Sequence, residues 1–131
     1  MRKGGSMAGQ AAVHLYIGTA LLLFYLAATI VYAIGIGGTV IPWGKYVSYI
    51  ASLLLILQYL VGIGLLASGA RNQAIHYALA VLVLVPIGLE HGLIRRRFQG
   101  RQLAVNLTAV AAVTTVVIFI TYLIGRGSAA G

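Results

Sequence analysis

The sequence predicts an all-α membrane protein, a single domain in which four transmembrane helices form an antiparallel bundle. Of the 131 residues, 61% are hydrophobic and only 8% are charged, a composition typical of integral membrane proteins. Four long segments contain no Lys, Arg, Asp or Glu, and they are residues 4–44, 46–70, 72–89 and 102–125. Each exceeds or nearly matches the ~20 apolar residues with which a helix crosses the ~30 Å hydrocarbon core.

The first span is expected at about residues 11–36, after a flexible Gly- and Ser-rich tail at 1–10 in which Met1 and Met7 are both candidate starts. Its apolar run of about 25 residues is too long for the apolar region of a signal peptide, so we expect it to be retained. The span ends before the segment Pro42-Trp43-Gly44-Lys45, which combines helix breakers with an aromatic and basic anchor for the membrane interface.

The other spans are expected at about residues 46–69, 74–94 and 103–124, followed by a tail at 125–131. The turn at 68–73 is short enough to make the second and third spans an antiparallel hairpin. Pro86 lies inside the third span and predicts a kink, which membrane helices tolerate. The basic loop of residues 95–101 separates the third span from the fourth.

The basic residues lie at helix ends and in loops, where they meet lipid headgroups and determine orientation. A net charge of +8 would favour nucleic acid as a partner of a soluble protein, but here we expect the lipid bilayer and no nucleic acid. The loop at 95–101 is rich in arginine, so we expect it in the cytoplasm and both termini outside. Arg2 and Lys3 favour the opposite orientation. We expect a multi-pass protein of the prokaryotic cytoplasmic membrane.

Ionisable residues inside membrane spans are costly and are therefore candidates for function. His14, His76, Glu90 and His91 are of this kind. His14 and His76 each lie about one turn into spans that begin on the same side, so both can lie at one depth. Gly18 lies one turn from His14 on the same helix face and leaves space for the edge of a porphyrin. Two facing imidazoles are the axial ligands that a low-spin haem iron needs.

His76 and His91 lie fifteen residues apart on one span, in the segment HYAL…GLEHG, with ~22 Å of rise and a rotation of ~60° between them. This spacing resembles the membrane b-type cytochromes of the cytochrome b and b561-like groups, in which one helix carries two haem-ligating histidines. The resemblance covers this helix and, more loosely, His14. It implies one haem b, with His14 and His76 as ligands of the haem iron. His91 is left outside, because no residue at its end of the bundle is expected to pair with it.

Each of these residues also has a purely structural interpretation. The histidines can be polar helix ends within reach of water. Glu90 is expected to neutralise the arginines at 95–97, and the alternative is a proton-relay or quinone-headgroup site formed with His91. Gln58 is expected to hydrogen-bond across the bundle to Tyr25 or Thr114.

Two functions are therefore open. The first is a membrane haem protein that transfers electrons, with quinol or with a respiratory or photosynthetic complex. The alternative is a non-catalytic accessory or assembly subunit without its own cofactor, which packs against other membrane subunits or further copies of itself. The sequence contains no nucleotide-binding, serine-hydrolase or zinc-protease motif and a single acidic residue, so a stand-alone enzyme is less expected.

Overall fold

The computed structural model describes residues 4–38 and 41–128. Nearly all of this part of the chain belongs to four long helices, which are α1 (Gly4–Ile36), α2 (Gly44–Ala67), α3 (Ala74–Arg97) and α4 (Gly100–Ser128). Each is long and apolar enough to cross a membrane. The predicted all-α fold with four candidate membrane spans is therefore confirmed, and the apolar helices indicate a multi-pass integral membrane protein in contact with lipid.

The helices extend beyond the predicted spans. The prediction of a flexible tail is wrong for residues 4–10, which are the start of α1, and α4 continues as far as Ser128. The 33 residues of α1 make a helix of about 50 Å, much longer than the hydrocarbon core is thick. Once a span has formed, each added residue gains a hydrogen bond without a new nucleation cost, so the helix continues past the interface. Arg2, Lys3 and the end of the predicted tail at 129–131 lie outside the described residues.

Contacts between helices establish their directions. The hydroxyl of Tyr32, near the end of α1, lies 3.4 Å from the carbonyl oxygen of Gly44 at the start of α2. Oγ1 of Thr19, in the first half of α1, lies 3.2 Å from the hydroxyl oxygen of Tyr122, near the end of α4. Both α2 and α4 therefore run antiparallel to α1. The start of α1 and the end of α4 share one end of the bundle, called the terminal end below, and the opposite end is called the loop end.

Helix α1 is the central element of the bundle. It packs along its length against α2 and α4, and α3 packs against α4. Small residues lie at these contacts. Ala28 of α1, Ala51 of α2 and Ala111 of α4 are all fully buried. Small side chains allow helices to approach closely in a membrane, where no hydrophobic effect drives them together.

Helices α2 and α3 are connected by the short turn at 68–73, in which Gly69 has a φ of 95° that favours glycine. Their backbones pack less closely than those of the other neighbouring helices. Long side chains bridge them instead, and the Tyr59 hydroxyl of α2 donates a hydrogen bond to the Ala80 carbonyl of α3. The space between these two helices therefore contains side chains rather than a close helix–helix contact.

Helix α3 is irregular. Its successive segments are Ala74–Leu82, Leu84–Leu89, the π-helical turn Glu90–Ile94 and the short end Arg95–Arg97. The first interruption, at Val83, follows from Pro86, which has no N–H to donate to the Leu82 carbonyl one turn earlier. The interruption lies three residues before Pro86, while Val83 keeps helical backbone angles, so a bend of the helix stays a prediction. The π-helical turn was not predicted, and such turns occur frequently at functional sites.

Candidate functional site

The bundle contains two polar clusters, one towards each end. The histidine cluster, towards the terminal end, consists of His14, Gln58 and His76. The Glu90 cluster, towards the loop end, consists of Tyr32, Ser48, Glu90 and Arg95. Buried apolar side chains separate the two clusters, among them Leu21, Leu55, Val83 and Ile118. The part of the chain that the structure describes thus has two polar clusters, joined by a core that is apolar except for hydroxyl groups such as that of Thr114.

His14 and His76 lie next to each other. Their ring centres are 6.5 Å apart and their ring planes are inclined at 60°. His14 belongs to α1 and His76 to the first turn of α3, and these helices run in the same direction. The two residues on which the haem hypothesis rests are therefore brought together by the fold, while their role as iron ligands stays a prediction.

The tautomer of His76 follows from its hydrogen bond. Its Nδ1 lies 3.1 Å from the carbonyl oxygen of Thr121 in α4, and since a carbonyl only accepts, Nδ1 donates. Neutral His76 therefore has its lone pair on Nε2. Proteins commonly orient metal-ligating imidazoles through this kind of second hydrogen bond. The ring also requires the absence of a side chain at Gly125, where a Cβ would lie 2.8 Å from its Cε1.

His14 has an incomplete set of partners. Its Nε2 lies 3.2 Å from Nε2 of Gln58, on α2. Its Nδ1 and the Oε1 of Gln58 are both buried without a hydrogen-bond partner among the residues that the structure describes. Buried polar atoms without partners are costly. A ligand would relieve that cost only by bonding to Nδ1 of His14 or to Oε1 of Gln58, and not by binding at Nε2 of His14.

The expected partner of Gln58 is wrong, because it contacts His14 rather than Tyr25 or Thr114. Thr114 instead donates to the Val110 carbonyl of its own helix, at 2.8 Å. Gly18 makes the observed contact possible, since a Cβ at this position would lie only 3.1 Å from the Gln58 amide nitrogen. The space over Gly18 that was predicted for a porphyrin edge therefore contains the Gln58 amide, with the Tyr122 ring beside it.

Glu90 is fully buried at the start of the π-helical turn. Its Oε1 accepts hydrogen bonds from the hydroxyl of Tyr32 at 2.9 Å, from Oγ of Ser48 at 2.5 Å and from Nη2 of Arg95 at 2.8 Å. The same Arg95 nitrogen donates to the Tyr32 hydroxyl at 2.5 Å. The predicted neutralisation of the arginine loop by Glu90 is confirmed for Arg95, the partner in its ion pair.

His91 points towards α2. Its Nε2 lies 3.0 Å from Oγ of Ser52, and its ring stacks on Tyr49 with the ring centres 5.4 Å apart. These neighbours are a hydroxyl and a phenol ring rather than a second imidazole, so the expectation that His91 lies outside the haem site stays a prediction. Ser48 and Ser52 are the residues that sequence reasoning missed. They lie four residues apart within an apolar span, which places two hydroxyl groups on one face of the helix. This pair of hydroxyl groups is the sequence feature that would have identified them.

Residues 4–38 and 41–128 contain no group of three or more His, Cys, Asp or Glu side chains that could hold a metal ion. A haem iron needs only two protein ligands. Two imidazoles on opposite sides of one metal ion have ring centres roughly 6 Å apart, since each metal–nitrogen bond is about 2 Å. The 6.5 Å between the ring centres of His14 and His76 is close to this value, but Nε2 of His14 faces the Gln58 amide, which would have to leave the space over Gly18. Ligation of iron by the two rings therefore stays a prediction.

Comparisons of the sequence with protein-family models, with curated proteins and with solved structures gave no match. Function is therefore inferred from the chemistry of the two clusters.

Proposed function

We propose that this chain is a small membrane cytochrome of the prokaryotic cytoplasmic membrane, with one b-type haem held by His14 and His76. Its role would be electron transfer, with quinol or with a respiratory or photosynthetic complex. The observation that supports this proposal is the 6.5 Å separation of two imidazoles from separate helices inside an apolar bundle. A bound haem would supply reversible one-electron transfer.

The protein groups around the two rings support the same proposal. The Thr121 carbonyl orients His76 with Nε2 free to bind iron. A glycine lies against each ring. A Cβ at Gly62 would lie 3.3 Å from Cε1 of His14, and a Cβ at Gly125 would lie 2.8 Å from Cε1 of His76. His14 would exchange its contact with Gln58 for the iron, and the Gln58 side chain would turn away from Gly18.

A role of Glu90 and His91 in proton relay or quinone binding has weaker support. Oε1 of Glu90 already accepts three hydrogen bonds, one of them within an ion pair, whereas its Oε2 is buried without a partner among the described residues. His91 is engaged with Ser52 and Tyr49. It also lies ~22 Å along α3 from His76. We therefore assign the Glu90 cluster primarily to structural stabilisation of the loop end.

The test is a reduced-minus-oxidised absorption spectrum of the full chain, expressed with ample haem and purified in detergent. Wild type is expected to show the sharp α-band of a low-spin b-type haem. His14→Ala and His76→Ala should each abolish it, because six-coordinate iron needs both ligands. His91→Ala is the matched control and should retain the band. Gln58→Ala removes the amide over Gly18 and should maintain or raise haem occupancy.

A colourless wild-type protein would contradict the cytochrome proposal and favour the accessory-subunit alternative. One observation favours that alternative. Helix α2 is the least buried of the four and exposes one long apolar face, with Leu53 at 57%, Ile56 at 56%, Leu60 at 62% and Ile63 at 62% exposure. Lipid or another subunit can cover this face. Cross-linking from position 60 in native membranes would separate these cases, because only a subunit gives a discrete protein adduct.

A further inference from the structure

A groove between α3 and α4 is lined only by apolar side chains. Its walls include Leu82, Val85, Pro86 and Leu89 of α3, and Ala109 and Val113 of α4, and its volume is about 320 Å³. Val85 is 57% exposed and Val113 is 55% exposed, so the groove opens on the outer surface of the bundle. In a membrane-spanning bundle this surface faces lipid tails.

Local sequence explains the groove. Pro86 cannot donate a backbone hydrogen bond to the Leu82 carbonyl, and α3 is interrupted beside it, at Val83. Ala109, on the opposite wall, has a side chain too small to fill the space. The groove is therefore a built feature of the α3–α4 contact.

Three arginines lie at the loop end of the same two helices. Arg96, Arg97 and Arg101 are exposed and make no hydrogen bond or ion pair with any described residue. Arg95 is different, because it is paired with Glu90 inside the bundle. A free guanidinium presents several N–H donors in a planar arrangement that matches the oxygens of a phosphate.

The arginines and the groove lie at different depths in the membrane, as the phosphate and the acyl chains of a phospholipid do. Leu89 precedes Arg97 by eight residues on α3, and Ala109 follows Arg101 by eight residues on α4. At 1.5 Å per residue, each wall of the groove begins ~12 Å below the arginines along the helix. A phosphate at the arginines would thus have its acyl chains directed towards the groove.

We propose that the α3–α4 groove and the basic loop bind one anionic phospholipid, with its phosphate held by Arg96, Arg97 and Arg101 and one acyl chain in the groove. Clusters of basic residues beside membrane spans recognise anionic headgroups in this way. This inference is independent of haem, because it uses neither histidine. It also identifies the loop end as the end that faces an anionic leaflet.

The headgroup half is tested by native mass spectrometry of the detergent-solubilised full chain, titrated with dioleoyl phosphatidylglycerol or dioleoyl phosphatidylcholine. The two lipids have identical acyl chains, so only the headgroup differs. Wild type should retain the anionic lipid at much lower concentration. Each of Arg96→Gln, Arg97→Gln and Arg101→Gln should weaken its retention about fivefold, and the triple variant should lose the preference. Arg71→Gln and Arg126→Gln, at the terminal end, are matched controls and should retain it.

The proposed position of the acyl chain is tested by substitutions that fill the groove with a larger side chain. Val113→Phe should reduce the retention of both lipids, whereas Val116→Phe should not, because Val116 is equally exposed at 56% but is not part of the groove wall. Equal retention of the two lipids by wild type would overturn the proposal. Equal losses in Val113→Phe and Val116→Phe would overturn the assignment of the acyl chain to this groove. Neither result bears on the haem spectrum.

Discussion

Glu90 and Arg95 form an ion pair of 2.8 Å across a single π-helical turn, although they are five residues apart in the sequence. In an α-helix, residues five apart point in directions that differ by ~140°, so the two side chains would not meet. In α3 the backbone N–H of Arg95 instead bonds to the carbonyl of Glu90. This longer turn brings the two residues onto one face, so the ion pair and the π-helical turn support each other.

Glu90→Gln is expected to destabilise the protein by about 3 kcal/mol, because it leaves the largely buried guanidinium of Arg95 without its counter-charge. Thermal unfolding in detergent, followed by circular dichroism, measures the change. The double variant Glu90→Gln/Arg95→Gln should recover part of the loss, since it removes the unpaired charge. Arg96→Gln is the control, as an exposed arginine without an ion pair, and should change stability little.

Tyr32→Phe is expected to cost about 1–2 kcal/mol. It removes a buried hydroxyl that donates to Glu90 and accepts from Arg95, and it leaves both charged groups with one partner fewer. The same unfolding measurement applies. Tyr16→Phe provides the matched control, because Tyr16 lies on the same helix but is 74% exposed. Equal effects of the two substitutions would contradict the importance of the hydroxyl.

Gly125→Ala is expected to displace the His76 ring, because the new Cβ would lie 2.8 Å from Cε1 of that imidazole. We expect a loss of stability of about 1–3 kcal/mol from overpacking, together with a loss of the haem band if the proposed function holds. Gly127→Ala is the control on the same helix, where a Cβ meets no atom within 4 Å. It should be neutral or slightly stabilising, because alanine favours a helix more than glycine does.

The loop end is expected in the cytoplasm. The chain has no cysteine, so single cysteines can report orientation without a background. Gln99→Cys, in the basic loop, should react with a membrane-impermeant maleimide only in inside-out vesicles. Gln73→Cys, at the opposite end of the bundle, should react in intact cells. The reverse pattern would show that another determinant, such as Arg2 and Lys3, overrides the arginine loop.

Hydropathy and the number of residues in each segment were sufficient to predict much of the fold. The four spans follow from windows without charge, because every backbone polar group in lipid must be satisfied within a helix. The interruption of α3 near Pro86 follows from the missing N–H of this residue. Even the proximity of His14 and His76 could be anticipated, since depth in the membrane depends only on the number of residues from the start of each span.

Rotation about the helix axes was decided by the tertiary structure alone. Because lipid and protein interior are both apolar, the apolar residues of a span do not mark which face packs inward. Gln58 therefore meets His14 rather than Tyr25 or Thr114, and His91 meets Ser52, only because of how α1, α2 and α3 pack. The π-helical turn has the same origin, since a shift of backbone hydrogen bonds leaves no mark on hydropathy and is stabilised by the contacts that it brings to Glu90.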